Sequence, residues 1–124
     1  MIVGSIKENL SLEKRVSITP ETAKSIINLG LKVIIENNYA THIGITNKDY
    51  EAVGVEIKNS SKEILDICNL LIKVNCPSDN EILNLKDQTI LIGMLNPSKN
   101  RKKLKEILKK KINIFSLELL PRIS

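Results

Sequence analysis

The hydrophobic residues of this chain fall into short runs that recur at regular intervals between polar stretches. The runs at 70–74 (LLIKV) and 89–94 (TILIGM) are almost continuously apolar, which is typical of strands covered on both faces. The same pattern predicts further strands at 2–6, 32–36, 55–57 and 112–117. Amphipathic stretches between them predict helices at 20–29, 47–54, 60–66, 79–85 and 99–111.

Residues with strong positional preferences mark the ends of two of these helices. We expect Thr19 to cap the first helix, with Pro20 at its first position and Gly30 at its end. We expect Asn47 and Gly54 to bound the second helix. The helix residues that the spacing predicts to face the core are Ala23, Ile26, Ile27, Leu29, Ile64, Leu65, Ile67, Leu104, Ile107 and Leu108.

The alternation of strands and helices predicts the fold class. Over 124 residues it indicates one α/β domain, with a parallel sheet flanked by helices on both faces. The layout would be flavodoxin-like or Rossmann-like. The five glycines stand at 4, 30, 44, 54 and 93, so neither a GxGxxG turn nor a P-loop can be written. A dinucleotide would therefore find no glycine-rich phosphate cradle in these residues.

The net charge of +5 is concentrated in one element. Residues 99–111 hold eight basic residues and one acid, whereas the other residues hold eleven basic and thirteen acidic groups. A phosphate-binding stripe and the solvated face of an amphipathic helix are the two interpretations. We favour the solvated face and expect no nucleic-acid partner, because no aromatic residue interleaves the lysines for base stacking.

Side chains for metal or covalent chemistry are few. Cys68 and Cys76 lack CxxC spacing, and His42 is the one histidine, so no metal site is expected. Packing is the favoured role for both cysteines, with the thiols reduced. No GxSxG motif or Cys/His pair indicates a nucleophile. No uncharged apolar run approaches the length of a membrane span, and we expect a cytoplasmic location.

Polar residues follow several strands at their carboxyl ends, where ligands bind in sheets of this class. Lys73 stands inside an apolar strand, and Arg15 lies in the long loop after the first strand. Asn96, Glu118 and Arg122 come after the last two strands. Cations converging on one edge would suit a carboxylate or phosphate ligand. The alternatives are that Arg15 pairs with a glutamate, at 13 or 8, and that Lys73 reaches to the rim of the sheet.

Three motifs resemble a known family. They are E-N-x(5)-R-V-S-I-T-P at 8–20, L-L-I-K-V-N-C-P at 70–77 and the closing P-R-I-S at 121–124. Together they are similar to the N-terminal domain shared by alanine dehydrogenase and the α subunit of proton-translocating NAD(P) transhydrogenase. Family members often have a glycine-rich turn after the second strand, where this chain has Asn37 and Asn38. Asparagine tolerates positive φ, so we expect the turn to persist.

Two positions favour the transhydrogenase branch. Alanine dehydrogenases place a catalytic histidine where this chain has Asn96, and an asparagine cannot act as a general acid or base. The P-R-I-S ending is the transhydrogenase form. In that branch, Arg122, Ile123 and Ser124 would begin a loop that contacts NAD(H). Residues matching Arg15 and Lys73 hold the substrate carboxylate in alanine dehydrogenase, and here they would line the same cleft with Asn96 and Glu118.

The resemblance also implies what the intact protein does. The chain would be the first domain of a transhydrogenase α subunit, truncated before its NAD-binding domain and inactive alone. Hydride would pass between NAD(H) on this subunit and NADP(H) on a partner β subunit, with no metal. A membrane domain would couple this step to proton translocation, and the domain would lie at the inner face of the membrane, as a homodimer. An alanine dehydrogenase-type amino-acid oxidoreductase and a stand-alone anion-binding module are the alternatives.

Overall fold

A computed structural model describes residues 1–96 and 98–117. Within these ranges the strands are β1 (Ile2–Ser5), β2 (Lys32–Glu36), β3 (Glu56–Lys58), β4 (Leu70–Asn75), β5 (Ile90–Met94) and β6 (Asn113–Ser116). The helices are α1 (Pro20–Asn28), α2 (Asn47–Glu51), α3 (Ser61–Ile67), α4 (Asp79–Asn84) and α5 (Arg101–Lys109), with a short 3₁₀ helix at Thr41–Ile43. The predicted elements are all present, with ends shifted by a few residues.

The strands form one parallel sheet in the order β3-β2-β1-β4-β5-β6. This is the Rossmann order, so the structure decides between the two predicted layouts and confirms the fold class. The chain runs outward from β1 to one edge and then returns to add β4 on the other side of β1. The carboxyl ends of β1 and β4 therefore flank the point where the strand order reverses, which is where such sheets bind ligands.

Helices cover both faces of the sheet, and alternate residues of the strands separate two cores. Ile34 of β2 packs with residues of α3, α4 and α5, whereas its neighbours Val33 and Ile35 pack with residues of α1 and α2. Both cores are almost entirely aliphatic. Two tyrosines, Tyr39 and Tyr50, are the aromatic residues buried among them, in the second core.

The ends of α1 follow the prediction. Thr19 caps the helix by accepting a hydrogen bond from the backbone N–H of Thr22, and Pro20 occupies the first turn. Gly30 follows with a φ of 92°, a left-handed conformation that glycine adopts without strain. The prediction that Leu29 faces the core is wrong, because its side chain is 78% exposed. Leu29 lies beyond the last helical residue and is turned away from the face that carries Ala23.

Three other details differ from prediction. The cap of α2 is Thr46, not Asn47, and Thr46 forms a capping box with Asp49. Ile67 and Leu108 are exposed, not buried. Each lies on a short helix, α3 or α5, beside buried residues of the same helix, Leu65 in α3 and Ile107 in α5.

The turn after β2 persists without glycine. Asn38 has a φ of 59°, the left-handed conformation that asparagine tolerates better than most residues. Its backbone N–H donates a hydrogen bond to the side chain of Asn47, 2.9 Å away. The expectation that asparagine replaces glycine at this turn is therefore confirmed.

None of the helices in the described ranges combines the length and the apolar character that crossing a membrane requires.

Candidate functional site

A cavity of about 360 Å³ opens at the carboxyl ends of β1 and β4. We call it the β1–β4 cavity. Residues of the β1–α1 loop, the end of β4, α4 and α5 contribute to its wall, and those used below are Lys7, Glu8, Lys73, Cys76, Glu81 and Lys103. The cavity lies at the reversal of strand order, where the fold class places its ligands.

Lys73 is the most buried cation of this cavity. Its side chain is 4% exposed, and its ammonium group lies 3.6 Å from a carboxylate oxygen of Glu8 and 3.4 Å from one of Glu81. An unpaired ammonium in this position would be costly, and two carboxylates offset that cost. Lys73 therefore meets anionic partners inside the protein and does not extend to solvent at the rim.

The backbone near Lys73 is irregular, which helps to place its side chain. The register between β4 and β5 shifts between Ile72 and Asn75. A methyl group at Gly93 of β5 would collide with the backbone carbonyl oxygen of Lys73. The absence of a side chain at Gly93 therefore permits the close approach of the two strands at this point.

Glu8 ties the β1–α1 loop to the end of β4. Its carboxylate accepts hydrogen bonds from the backbone N–H groups of Val74 and Asn75, at 3.0 and 3.2 Å, in addition to its contact with Lys73. The side chain of Glu8 is 2% exposed. The sequence analysis considered Glu8 only as a partner of Arg15, because its true partners lie 65 or more positions away along the chain.

Glu81 was not identified from the sequence either. It belongs to the capping box of α4, in which its carboxylate accepts a hydrogen bond from the backbone N–H of Ser78 at 2.8 Å. The same oxygen accepts the hydrogen bond from Lys73. The Ser-x-x-Glu pattern at 78–81 could have predicted the capping box. Nothing in the neighbouring sequence indicated that Glu81 also contacts Lys73.

Arg15 lies at the same edge of the sheet but outside the β1–β4 cavity. Its guanidinium donates two hydrogen bonds of 2.8 Å to the two carboxylate oxygens of Glu13, and its side chain is 67% exposed. These hydrogen bonds lower the pKa of Glu13 to about 2. The side-chain amide of Asn75 also donates to Glu13, at 3.3 Å. The alternative in which Arg15 pairs with Glu13 is thus the arrangement observed.

Asn96 lines a second cavity of about 400 Å³, which we call the β5–α5 cavity. Asn96 follows the end of β5 and has a φ of 46°. The side-chain amide of Asn100 donates hydrogen bonds to the carbonyl oxygens of Leu95 and Asn96, at 2.8 and 3.3 Å, and holds this turn in place. The two cavities share Leu12, Asn75, Cys76 and Lys103.

The one histidine of the chain is elsewhere. His42 lies in the 3₁₀ helix, and its Nε2 atom forms a 2.8 Å hydrogen bond with the carbonyl oxygen of Lys14. His42 lines neither of the two cavities.

Four of the predicted site residues, Glu118, Arg122, Ile123 and Ser124, lie outside the described residues, and their roles stay predictions. The structure brings Lys73 and Asn96 to two adjoining cavities and places Arg15 beside them. Their proposed contacts with a ligand likewise stay predictions.

The cysteines occupy different environments. Cys68 is buried in the first core, where burial raises the pKa of its thiol to about 11, and its predicted packing role is confirmed. Cys76 lies in the wall of both cavities, and burial raises its pKa against the opposing effect of the charges of Lys103 and Lys73. Residues 1–96 and 98–117 contain no group of three or more metal-ligating side chains.

The basic segment contains one lysine with a structural role. Lys110 donates hydrogen bonds of 3.0, 2.7 and 3.0 Å to the carbonyl oxygens of Ile82, Leu83 and Leu85 at the end of α4. A cation in this position satisfies carbonyl groups that the helix leaves unpaired. Lys109 instead forms an exposed ion pair with Glu106.

Comparisons with known proteins agree with this architecture. The profile of the family described as "Alanine dehydrogenase/PNT, N-terminal domain" matches residues 4–124. The chain is 32% identical to the NAD(P) transhydrogenase subunit alpha of Haemophilus influenzae, over 100% of this chain and 24% of that protein. It is 34% identical to the alanine dehydrogenase of Methanococcus maripaludis, over 95% of this chain and 32% of that protein.

A solved structure shows the same relationship. The crystal structure of transhydrogenase from Sinorhizobium meliloti superposes with a TM-score of 0.93 at 26% identity, over 100% of this chain and 37% of that one. The chain thus spans only 24–37% of the length of these relatives.

Proposed function

The chain belongs to the alanine dehydrogenase/PNT N-terminal domain family, and we propose that it is the N-terminal domain of an NAD(P) transhydrogenase α subunit. In the intact subunit, residues 1–124 would precede the NAD-binding domain. The reaction would transfer hydride from NADH to NADP⁺, giving NAD⁺ and NADPH. The homologous α subunits are parts of a multi-subunit transhydrogenase, so we further propose a β subunit that carries NADP(H), a membrane domain that couples the reaction to proton translocation, and a homodimer of this subunit.

The observation that carries this proposal is the position of Asn96 at the end of β5. Direct hydride transfer between two nicotinamides neither adds nor removes a proton at a heteroatom, so it needs no acid or base. Oxidation of an amino acid requires such a group, and an amide side chain does not ionise near neutral pH. His42, the one histidine of the chain, is hydrogen-bonded to the backbone of Lys14 and lines neither cavity.

The described residues suit the nicotinamide nucleotide of a dinucleotide better than its diphosphate. Lysine and amide side chains at the two cavities suit the polar groups of a nicotinamide nucleotide. No glycine-rich turn follows a strand within residues 1–96 and 98–117, so we assign the diphosphate to the domain that follows. Bound NAD(H) supplies the hydride. The role of this chain would be to orient the nucleotide and to exclude water, with Arg122 and its neighbours in direct contact.

The test uses the full-length subunit together with its partner subunit. We expect NADH-dependent reduction of an NADP⁺ analogue, and no oxidation of NADH that depends on pyruvate and ammonia. The 124-residue chain alone should show neither activity and should bind NADH weakly or not at all. Pyruvate- and ammonia-dependent oxidation by the full-length protein would instead establish the alanine dehydrogenase alternative.

A further inference from the structure

The β5–α5 cavity has an unbalanced charge. Among the described residues, two lysines, Lys99 and Lys103, line it together with three asparagines, and none of the lining residues carries a carboxylate. In the adjoining β1–β4 cavity, by contrast, the glutamates at 8 and 81 face Lys73. The two cavities therefore differ in whether the protein itself supplies the anions that the lysines require.

Lys103 lies at the junction of the two cavities and is half-buried. Among the described residues, neither Lys103 nor Lys99 forms an ion pair, whereas Lys73 forms two. Lys103 also stands in the first turn of α5, where the helix dipole disfavours positive charge. Neither the helix dipole nor an ion pair with another described residue stabilises its charge.

The charge of Lys103 is felt inside the site. It is the foremost charge opposing the rise in the pKa of Cys76, which lines both cavities. The charge of Lys103 therefore acts on a residue in the wall of both cavities.

From these observations we propose that the β5–α5 cavity binds a small dianion of the phosphate class, held by Lys99 and Lys103. Two lysines on the wall match the two negative charges of phosphate. Lys73 and Arg15 are not part of this site, because each already contacts carboxylates. The site does not depend on the transhydrogenase assignment.

The site is distinct from the outward face of the basic helix. Lys105 lies on the same helix and is exposed, but it lines neither of the two cavities. Lys103→Met and Lys105→Met remove the same charge from the same element, so they form a matched pair. A diffuse attraction by the helix would respond equally to both changes, whereas a site in the cavity would respond to the first alone.

The experiment titrates the 124-residue chain at constant ionic strength with inorganic phosphate, pyrophosphate and adenosine monophosphate. Backbone amide NMR shifts report the location of binding and the affinity. We expect saturable binding with shifts at Cys76, Asn96 and Lys103. Lys103→Met should weaken binding about tenfold, while Lys105→Met leaves it nearly unchanged. A tighter constant for adenosine monophosphate would identify a nucleotide as the source of the phosphate, and equal constants would identify the free ion.

Two results would overturn the proposal. One is the absence of saturable binding of all three probes. The other is equal weakening by the two substitutions, which would assign the attraction to the helix face as a whole. A single-stranded oligonucleotide serves as a further probe, since tighter binding of it with equal sensitivity to both substitutions would indicate a nucleic-acid surface instead. Neither result bears on whether the full-length protein has transhydrogenase activity. The two proposals can therefore fail independently of each other.

Discussion

Two groups of opposite charges stand at the same edge of the sheet and differ mainly in the burial of the cation, since the side chains of Glu13 and Glu81 are only 10% and 20% exposed. Arg15 and Glu13 meet in a two-pronged geometry at 2.8 Å, with the arginine largely exposed. Lys73 meets Glu8 and Glu81 at 3.6 and 3.4 Å, with almost no exposure of the lysine. The exposed pair has the better geometry, yet we expect the buried group to matter more for stability. Water screens the attraction between the charges of the exposed pair and can solvate the arginine if its partner is lost. A buried charge that loses its partner has no water to solvate it.

The largest expected effect is the loss of the buried cation. Lys73→Met leaves the carboxylates of Glu8 and Glu81 without their buried cation, and we expect the free energy of unfolding to fall by about 3–5 kcal/mol. Chemical denaturation at pH 7 measures this change. The double variant Lys73→Met/Glu8→Gln should recover part of the loss, because it removes one of the stranded charges. A loss for Lys73→Met no larger than that for Arg15→Gln would contradict the comparison.

An intermediate effect is expected where a cation meets neutral oxygens. Lys110 donates to three carbonyl oxygens at the end of α4, and Lys110→Met should lower the free energy of unfolding by about 1–2 kcal/mol. Lys109→Met is the control, because Lys109 has only an exposed partner. Denaturation curves that are the same for the two variants would show that the carbonyl contacts contribute nothing.

The smallest expected effect concerns the exposed pair, and it is best observed as a pKa. Glu13 titrates at about 2 in place of its ordinary 4.5, chiefly because Arg15 donates to it. Because the folded-state pKa is the lower one, this contribution to stability is present above pH 4.5 and is lost as the pH falls toward 2. In Arg15→Gln, NMR titration of the Glu13 carboxyl should show a pKa moved toward 4.5, and less stability should be lost between pH 4.5 and pH 2 than in the unmodified chain. An unchanged pKa would mean that other groups hold the carboxylate.

The local parts of the structure were predictable. Apolar runs and helical spacing predicted the six strands and five α-helices of the described residues but not the 3₁₀ helix, and Thr19 and Gly30 marked the ends of α1 correctly. These signals depend on residues that are a few positions apart, so they can be recognised without knowledge of the tertiary structure. The cap of α2 was placed one residue too late, at Asn47 in place of Thr46, and the other mistakes, at Leu29, Ile67 and Leu108, concern how much of a helix is covered by the rest of the fold. That quantity depends on the neighbouring elements and not on the helix itself.

The candidate site was predictable only in part. Lys73 was identified because a lysine in an apolar strand is unusual, and Asn96 because it follows the carboxyl end of a strand and matches a position in the family. Glu8 was considered only beside Arg15, and Glu81 was not identified at all, since a glutamate in a polar stretch carries no sign of burial. The β5–α5 cavity could not be predicted either, because nothing in the sequence distinguishes Lys103 from the other lysines of the basic helix.

The sequence by itself determined the alternation of strands and helices, the parallel α/β class and the resemblance of its motifs to one family. Only the tertiary structure decided the Rossmann order over the flavodoxin order, and with it the meeting of β1 and β4. That meeting brings Glu8 to Lys73 across 65 positions of the chain. The tertiary structure also decided which cations have carboxylate partners within the described residues. The physical reason is range: hydrophobic spacing and caps act within a few residues, whereas the pairing of buried charges depends on elements that are distant in the chain and adjacent in the fold.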